Sequence, residues 1–364
     1  MIYALSIDWL TIFCMYMGTD DWYPVDSERY SYKLEPFGTR CFSRFYRVRV
    51  KNDEGGWDEF AEMHASPYSS ILPTYCIMVR FTNRTLYLPD FWDVAYDFLK
   101  INNITYESIS RVDICADFND FATMSPRALI EGFAAKKFRH IGRGVGALYF
   151  NHGLGAERDE FDRPIKDYGV RYNGLSFGTH ASDAHVYLYD KSEELRTQGD
   201  KPWIRDVWKS AGLDVRHVWR LEVSIKSKGL KFKDRKTGTP VKITVNTCME
   251  TSELDKIYHT FTKRLFSFIK NRSGITNITR EPRLLLFDSK PAYDRCAIRN
   301  VSSGDRMERI LIKNLYLLAD RYRGCEMYNA RQISQNLAFS LAKSTDLLEW
   351  YKVKRGDWER PVHK

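Results

Sequence analysis

Nothing in this sequence is built to cross a membrane: no stretch of about 18 uncharged apolar residues occurs. The apolar opening, Met1 to Gly18, is not laid out as a leader. It lacks a basic start and a small-residue cleavage site, and Asp8 interrupts it, so it is expected to be a buried β-strand. Cysteines are few, at Cys14, Cys41, Cys76, Cys115, Cys248, Cys296 and Cys325, and none form a C-x-x-C pair. An odd number placed mostly in apolar runs predicts reduced, buried thiols in a cytoplasmic protein, not a disulfide framework or zinc site. There is no G-x-x-x-x-G-K-[ST] loop, which removes the usual nucleotide-hydrolysing motor. No His-apolar-His pair occurs either, so a histidine-pair nicking enzyme is not supported. Repeats and low-complexity tracts are also missing.

What remains is a basic, aromatic chain long enough for one large or two ordinary domains. It carries a formal charge of +9, and aromatics make up 14% of its 364 residues. That balance favours a polyanionic partner, nucleic acid before an anionic membrane surface. Residues 1–88 read mostly as strands, including Phe45–Lys51, Cys76–Phe81 and Thr85–Leu88. A helix follows from Phe91 to Lys100, then a strand from Ser110 to Asp117 and a helix from Ser125 to about Lys137. Further strands fall near 147–151, 170–178, Ala184–Asp190 and Val218–Ser224. Beyond them the 3.6-residue period takes over, at Ser252–Lys270, Arg306–Tyr322 and Asn329–Trp350. The expectation is an α+β protein: a β-rich part of mostly antiparallel sheet over 1–250, then an α-helical region over 251–364. The helices of the tail would pack on the core, form a homodimer surface, or both.

Three segments carry chemistry. In Arg111-Val-Asp-Ile-Cys-Ala-Asp117, Asp113 and Asp117 share one strand face. Two such carboxylates need a cation or proton between them, or else are solvated acids at a strand end. In Ala184-His-Val-Tyr-Leu-Tyr-Asp-Lys191, Tyr187 and Tyr189 share the face opposite Val186 and Leu188, and Lys191 continues it. A phenol is a poor nucleophile until a cation or base lowers the cost of ionising it; the plainer use of such rings is sheet packing. In Trp219-Arg-Leu-Glu-Val-Ser-Ile225, Arg220, Glu222 and Ser224 form one polar face, suited to a metal or phosphate or simply to solvent.

The order Arg-Val-Asp-Ile-x-x-Asp, Gly-Thr-x-x-Ser-Asp-x5-Tyr-Asp-Lys, Trp-Arg-Leu-Glu-Val resembles the Rep_trans family of replication initiation factors, which start rolling-circle replication of small plasmids and some phages. Ser6-Ile-Asp-Trp-Leu10 sits in a first-strand position typical of that family, and the resemblance covers roughly residues 4–235. It implies that Tyr189 nicks one strand at a DNA origin, leaving a 5′-phosphotyrosine and a free 3′ hydroxyl. It implies Lys191 beside the nucleophile and a divalent ion, Mg or Mn, on Asp113, Asp117 and Glu222. Arg220 would clamp the phosphate, and any helicase would be a separate partner. Members usually carry a basic residue two before the tyrosine; Tyr187 stands there instead, which opens the choice of nucleophile.

The basic segment with Lys226, Lys228, Lys231, Lys233, Arg235 and Lys236 is the expected phosphate-contacting surface, or a solvated hairpin. A relaxase of a mobile element would use the same chemistry. A protein that binds DNA without cutting it is the alternative of a different class. Two motif-like strings lack their contexts. Gly142-x-Gly144-x-x-Ala147 does not follow an apolar strand, and Arg216-His-Val-Trp-Arg220 with Tyr258 does not sit on the helix a tyrosine recombinase needs.

Overall fold

The structure is a computed structural model. It describes all residues except 19–20, 40, 69–71, 74, 143–145, 153–169, 180, 274–276, 289, 298–309, 316–327, 345–346, 350, 353 and 355–364. Gly144 and most of the helix expected over Arg306–Tyr322 lie outside the described residues.

The apolar N-terminal run becomes strand β1 (Ala4–Tyr16), which lies inside the main sheet. It is flanked by β5 (Cys76–Phe81) and β6 (Ile104–Phe118), each antiparallel to it. Outward from β5 come β4 (Trp57–Pro67), β3 (Phe42–Lys51) and β2 (Tyr30–Leu34). Outward from β6 come β11 (Trp219–Lys226), β10 (Ala184–Asp190), β9 (Val170–Phe177) and β8 (Gly146–His152). The result is a ten-stranded antiparallel sheet with helices packed on it, the α+β architecture expected from the alternating strands. Cys14, Cys76, Cys115 and Cys248 are buried free thiols, as the cysteine pattern predicts, while Cys41 is exposed.

Alternation sends every second side chain of the central strands to one face. Ile7, Val112, Ile114, Ala116, Leu188, Leu221 and Val223 all enter one core. Helices α2 (Phe91–Ile101), α3 (Pro126–Ala134) and α7 (Thr251–Leu265) supply Phe98, Leu129, Ile130, Ile257 and Phe261 to that same core. Each fully buried Leu, Ile or Phe there is worth roughly 1.5–3 kcal/mol. Tyr258 belongs to this side: it is fully buried and donates to the Leu221 carbonyl at 3.1 Å, which ends any recombinase-like role for it. A separate small cluster, with Ile312, Ala338, Ala342 and Leu347, forms around the helix Tyr328–Ser344.

The other face of β1, β6, β11 and β10 is left polar. It is closed at one end by α4 (Lys191–Gln198) and α5 (Pro202–Ser210), which pack through Leu195, Ile204 and Trp208 onto Ala4 and Val218.

Two segments depart from the expected elements. Thr85–Leu88 is not a strand; a short helix, α1 (Asn83–Leu86), forms instead because Thr82 caps it and the Thr85 hydroxyl bonds the Phe60 carbonyl. The helix expected to run to Lys270 stops at Leu265, and Phe268–Lys270 (β14) pairs with Phe138–His140 (β7). Ring packing of Phe268 against Phe177 and His140 holds that turn.

Candidate active site

The polar face is ordered by register. Asp117 lies opposite Arg220, which lies opposite Tyr189; Cys115 lies opposite Glu222, which lies opposite Tyr187; Asp113 lies opposite Ser224. The three segments singled out in the sequence are thus three adjacent strands, and their polar residues share one surface. β1 adds a residue the sequence analysis left without a role. Its register slips between Ile7 and Trp9, and the extra residue in that bulge is Asp8. Bulges re-aim a side chain, and Asp8 reaches Arg220.

Tyr189 and Tyr187 stack at 4.6 Å between centroids, and the Tyr149 ring packs against Tyr187 at 4.9 Å, tilted by 57°. Gly174 opposite Tyr189 makes room for this: a Cβ there would sit 3.0 Å from the Tyr187 ring. The Tyr189 hydroxyl donates to Glu222 Oε2 at 3.3 Å and receives the Lys191 ammonium at 3.4 Å. Lys191 is the first residue of α4, whose N-cap is Asp190, and its buried ammonium also pairs with Glu194. Tyr189 lines a cleft of about 350 Å³ together with Tyr187, Glu193, Glu194 and Glu222 among others.

Electrostatics divide the acids by partner. Burial, then the charges of Asp113 and Asp8, push Glu222 up to about 8, against the opposing pull of Arg220 and Lys191. Burial and the Glu222 charge hold the Tyr189 phenol well above its ordinary range, with Arg220 opposing. Burial raises Asp8 too, but Arg220 and Lys191 outweigh it and bring Asp8 below the usual carboxylate range. Asp113 is raised by burial despite its bond to Arg111.

Arg220 departs from the expected phosphate clamp. Its side chain is fully buried, and its nitrogens donate to Asp117 at 2.6 and 2.7 Å, to the Tyr87 hydroxyl at 3.0 Å, and to Asp8. Four of the five N–H groups of this buried guanidinium are thus given to the protein's own oxygens. Asp117 is equally committed: besides Arg220 it accepts from the Trp208 indole at 2.7 Å. Asp113 takes Arg111 on both oxygens, at 2.9 and 2.5 Å. These carboxylates therefore do not fit the divalent-ion set of Asp113, Asp117 and Glu222. Among the described residues no three His, Cys, Asp or Glu side chains are grouped to hold a metal.

Asp8, Tyr87 and Trp208 were given no role by sequence reasoning, and Arg111 entered only as the first residue of a motif. Asp8 left a trace, a lone charge inside an apolar strand; Tyr87 and Trp208 left none. The basic segment does form a hairpin. Lys228 is exposed in the turn, and β12 (Lys231–Asp234) pairs with β13 (Pro240–Lys242). Lys231 and Lys233 point out while Phe232 is buried, and Arg235 and Lys236 are exposed beyond them.

No family profile matches the chain, and no curated protein matches it. Among solved structures it is similar to a rolling-circle replication initiator protein from Geobacillus stearothermophilus. The two share 15% identity with a TM-score of 0.42, over 77% of this chain and 92% of that one. A likeness at that level is weak and assigns no family. Among the described residues no helix is long and apolar enough to cross a membrane.

Proposed function

We propose that this chain nicks one strand of DNA with Tyr189 as the nucleophile, in the manner of a rolling-circle initiator. The observation that carries the proposal is the Tyr189 hydroxyl held between a carboxylate and an ammonium, on a residue that lines a cleft. Glu222, with its carboxyl raised to about 8, takes the phenol proton once it is itself ionised, as pH rises through that value. Lys191 stabilises the phenolate that forms and the charge that gathers on the phosphate. The phenol oxygen bonds to phosphorus as the bond to the 3′ oxygen breaks, and that oxygen takes a proton from solvent water and leaves as a free 3′ hydroxyl. The 5′ phosphate stays on the tyrosine, so closure by the same hydroxyl needs no nucleotide. Arg220 serves as a strut that holds Asp8 and Asp117 in place beside the nucleophile. The exposed lysines of the β12–β13 hairpin contact the duplex around the origin. No step is routed through a divalent ion, since Asp113 and Asp117 are held by arginines.

The test is nicking of a supercoiled plasmid carrying the cognate origin by wild type, Tyr189→Phe and Tyr187→Phe, with denaturing gels to trap protein on the 5′ end. The expected result is covalent nicking by wild type, loss in Tyr189→Phe and retention in Tyr187→Phe. If Tyr187→Phe alone is dead, the nucleophile is misassigned; if wild type binds the origin but never cuts, the protein is a DNA binder and the enzymatic proposal falls. An arm with EDTA and one with Mg²⁺ or Mn²⁺ reads out whether an ion joins Glu222.

A further inference from the structure

A second concentration of charge lies away from the Tyr189 cleft, on the small ribbon of β7 and β14. No acidic residue occurs from Lys136 to Ala156 or from Lys256 to Arg280, the two stretches that build it. Lys136, Lys137, Arg139, Lys270 and Arg272 are exposed on the ribbon or beside it. Arg283 joins them, because Ile269 of β14 lies between Arg139 on one side and Arg283 on the other. Two strand spacings put those arginines about 10 Å apart at their Cα atoms. Among the described residues no carboxylate pairs with any of these cations.

The mount beneath them is apolar. Phe268 is buried, and His140 stacks on Phe177 at 3.6 Å with planes 15° apart. Phe177 lies opposite Val186 in register and enters the core with it, whereas Tyr189 belongs to the other face. The ribbon therefore stands on the side of the sheet away from the cleft. Lys136 sits in a backbone conformation that the fold alone would give to glycine. It follows the end of α3 with φ of 56°, in the left-handed region, where a Cβ is penalised. The turn is fixed: the Lys136 and Lys137 amides donate to the Phe133 and Gly132 carbonyls at 3.0 and 2.8 Å, and the Asn271 side chain donates to the Lys136 carbonyl at 2.8 Å. A strained lysine whose ammonium meets no acid in the protein is accounted for by an anion outside it.

We infer that the β7–β14 ribbon grips the phosphates of a DNA duplex, as a second contact on the side of the sheet remote from the nick. The charge asks for a polyanion, and the surroundings choose which. A protein partner needs an apolar centre with its charges at the rim, and here lysines and arginines surround only Asn271. Unpaired bases need a free ring, but Phe268 is buried, His140 is taken by Phe177, and the Phe138 ring lies over Gly132. A duplex shows its phosphates outward and asks for nothing else. The inference rests on the nicking proposal for choosing DNA among polyanions, and it adds that the duplex is held at a place the cleft does not reach.

The experiment is fluorescence anisotropy of a labelled duplex of about 20 base pairs and arbitrary sequence, titrated at several salt concentrations. The full-length Tyr189→Phe protein is the parent, so that binding is read without cutting. Into it go the triple change Lys137→Gln, Arg139→Gln and Lys270→Gln, and separately Lys136→Gly. The triple variant should bind about tenfold more weakly at low salt, with a salt slope smaller by about 0.9 for each cation removed. Lys136→Gly should bind about threefold more weakly and yet melt about 1–2 °C higher, because glycine takes the left-handed position without strain. A triple variant with native circular dichroism that keeps the parental affinity and slope overturns the inference. So does a Lys136→Gly protein that gains stability and binds as tightly as its parent, or displacement of the duplex by poly-glutamate as readily as by unlabelled duplex. Ribbon-dependent binding in a protein whose wild type never nicks keeps the ribbon and removes the tyrosine chemistry; nicking with an inert ribbon does the reverse.

Discussion

Glu222→Gln should make this protein more stable and less active at once. In the folded chain the Glu222 carboxyl is pushed from its ordinary 4.5 up to about 8, chiefly by burial and then by Asp113 and Asp8. An acid whose folded value is raised binds its proton more tightly folded than unfolded. Its contribution is therefore fully present below about 4.5 and is lost as pH rises through about 8. At about 1.4 kcal/mol per pH unit, the interval from 4.5 to 8 sets a ceiling of about 5 kcal/mol on the cost of carrying Glu222 ionised. A glutamine keeps an oxygen to accept from Tyr189 and removes the charge. Urea unfolding at pH 5 should separate wild type and variant by no more than about 1 kcal/mol; at pH 9 the variant should lead by about 2–5 kcal/mol. Over the same range the wild-type nicking rate should climb to a plateau above pH 8, while the variant loses about 10²–10⁴ in rate and the climb with it. Equal pH dependence of stability in the two proteins would refute the burial argument. A variant that nicks normally would refute the general-base role.

Other outcomes follow from the same contacts. Arg220→Gln strands Asp8 and Asp117 in the interior and should cost about 3–5 kcal/mol in denaturant unfolding. A loss of activity with unchanged stability would instead restore a direct phosphate role. Lys191→Met removes a charge that holds the Glu222 proton affinity down, so the rising limb of the rate profile should move to higher pH as the rate falls. Alanine at the exposed Lys231 and Lys233 should weaken origin binding and reduce the salt slope by about 0.9 per lysine on duplex DNA; an unchanged slope would make the hairpin a solvated one.

Local pattern was enough for much of the architecture. The alternation in Ala184–Asp190 and Trp219–Ile225 sets which face is polar, and no choice of neighbours alters that. Tyr187 and Tyr189 had to share one face of their strand, and Asp113 and Asp117 one face of theirs, from spacing alone. The apolar start, broken by Asp8, reads as a strand and is one. Short or capped runs were where pattern failed. Thr85–Leu88 is too brief for its period to speak, and a cap at Thr82 decides it. α4 and α5 were unmarked because Lys191–Gln198 is polar nearly throughout and packs mainly through Leu195.

What tertiary structure alone decided is which charges meet. Sequence spacing gives a residue's face but not its partner, and the worth of a buried charge depends almost wholly on that partner. Arg220 and Asp117, 103 positions apart, are register neighbours on β11 and β6, so they neutralise each other. The bulge at Asp8 adds a second carboxylate to the same guanidinium, and Arg111 claims Asp113. Once those pairs are made, Glu222 is the acid left without an arginine of its own, beside Tyr189 and Lys191.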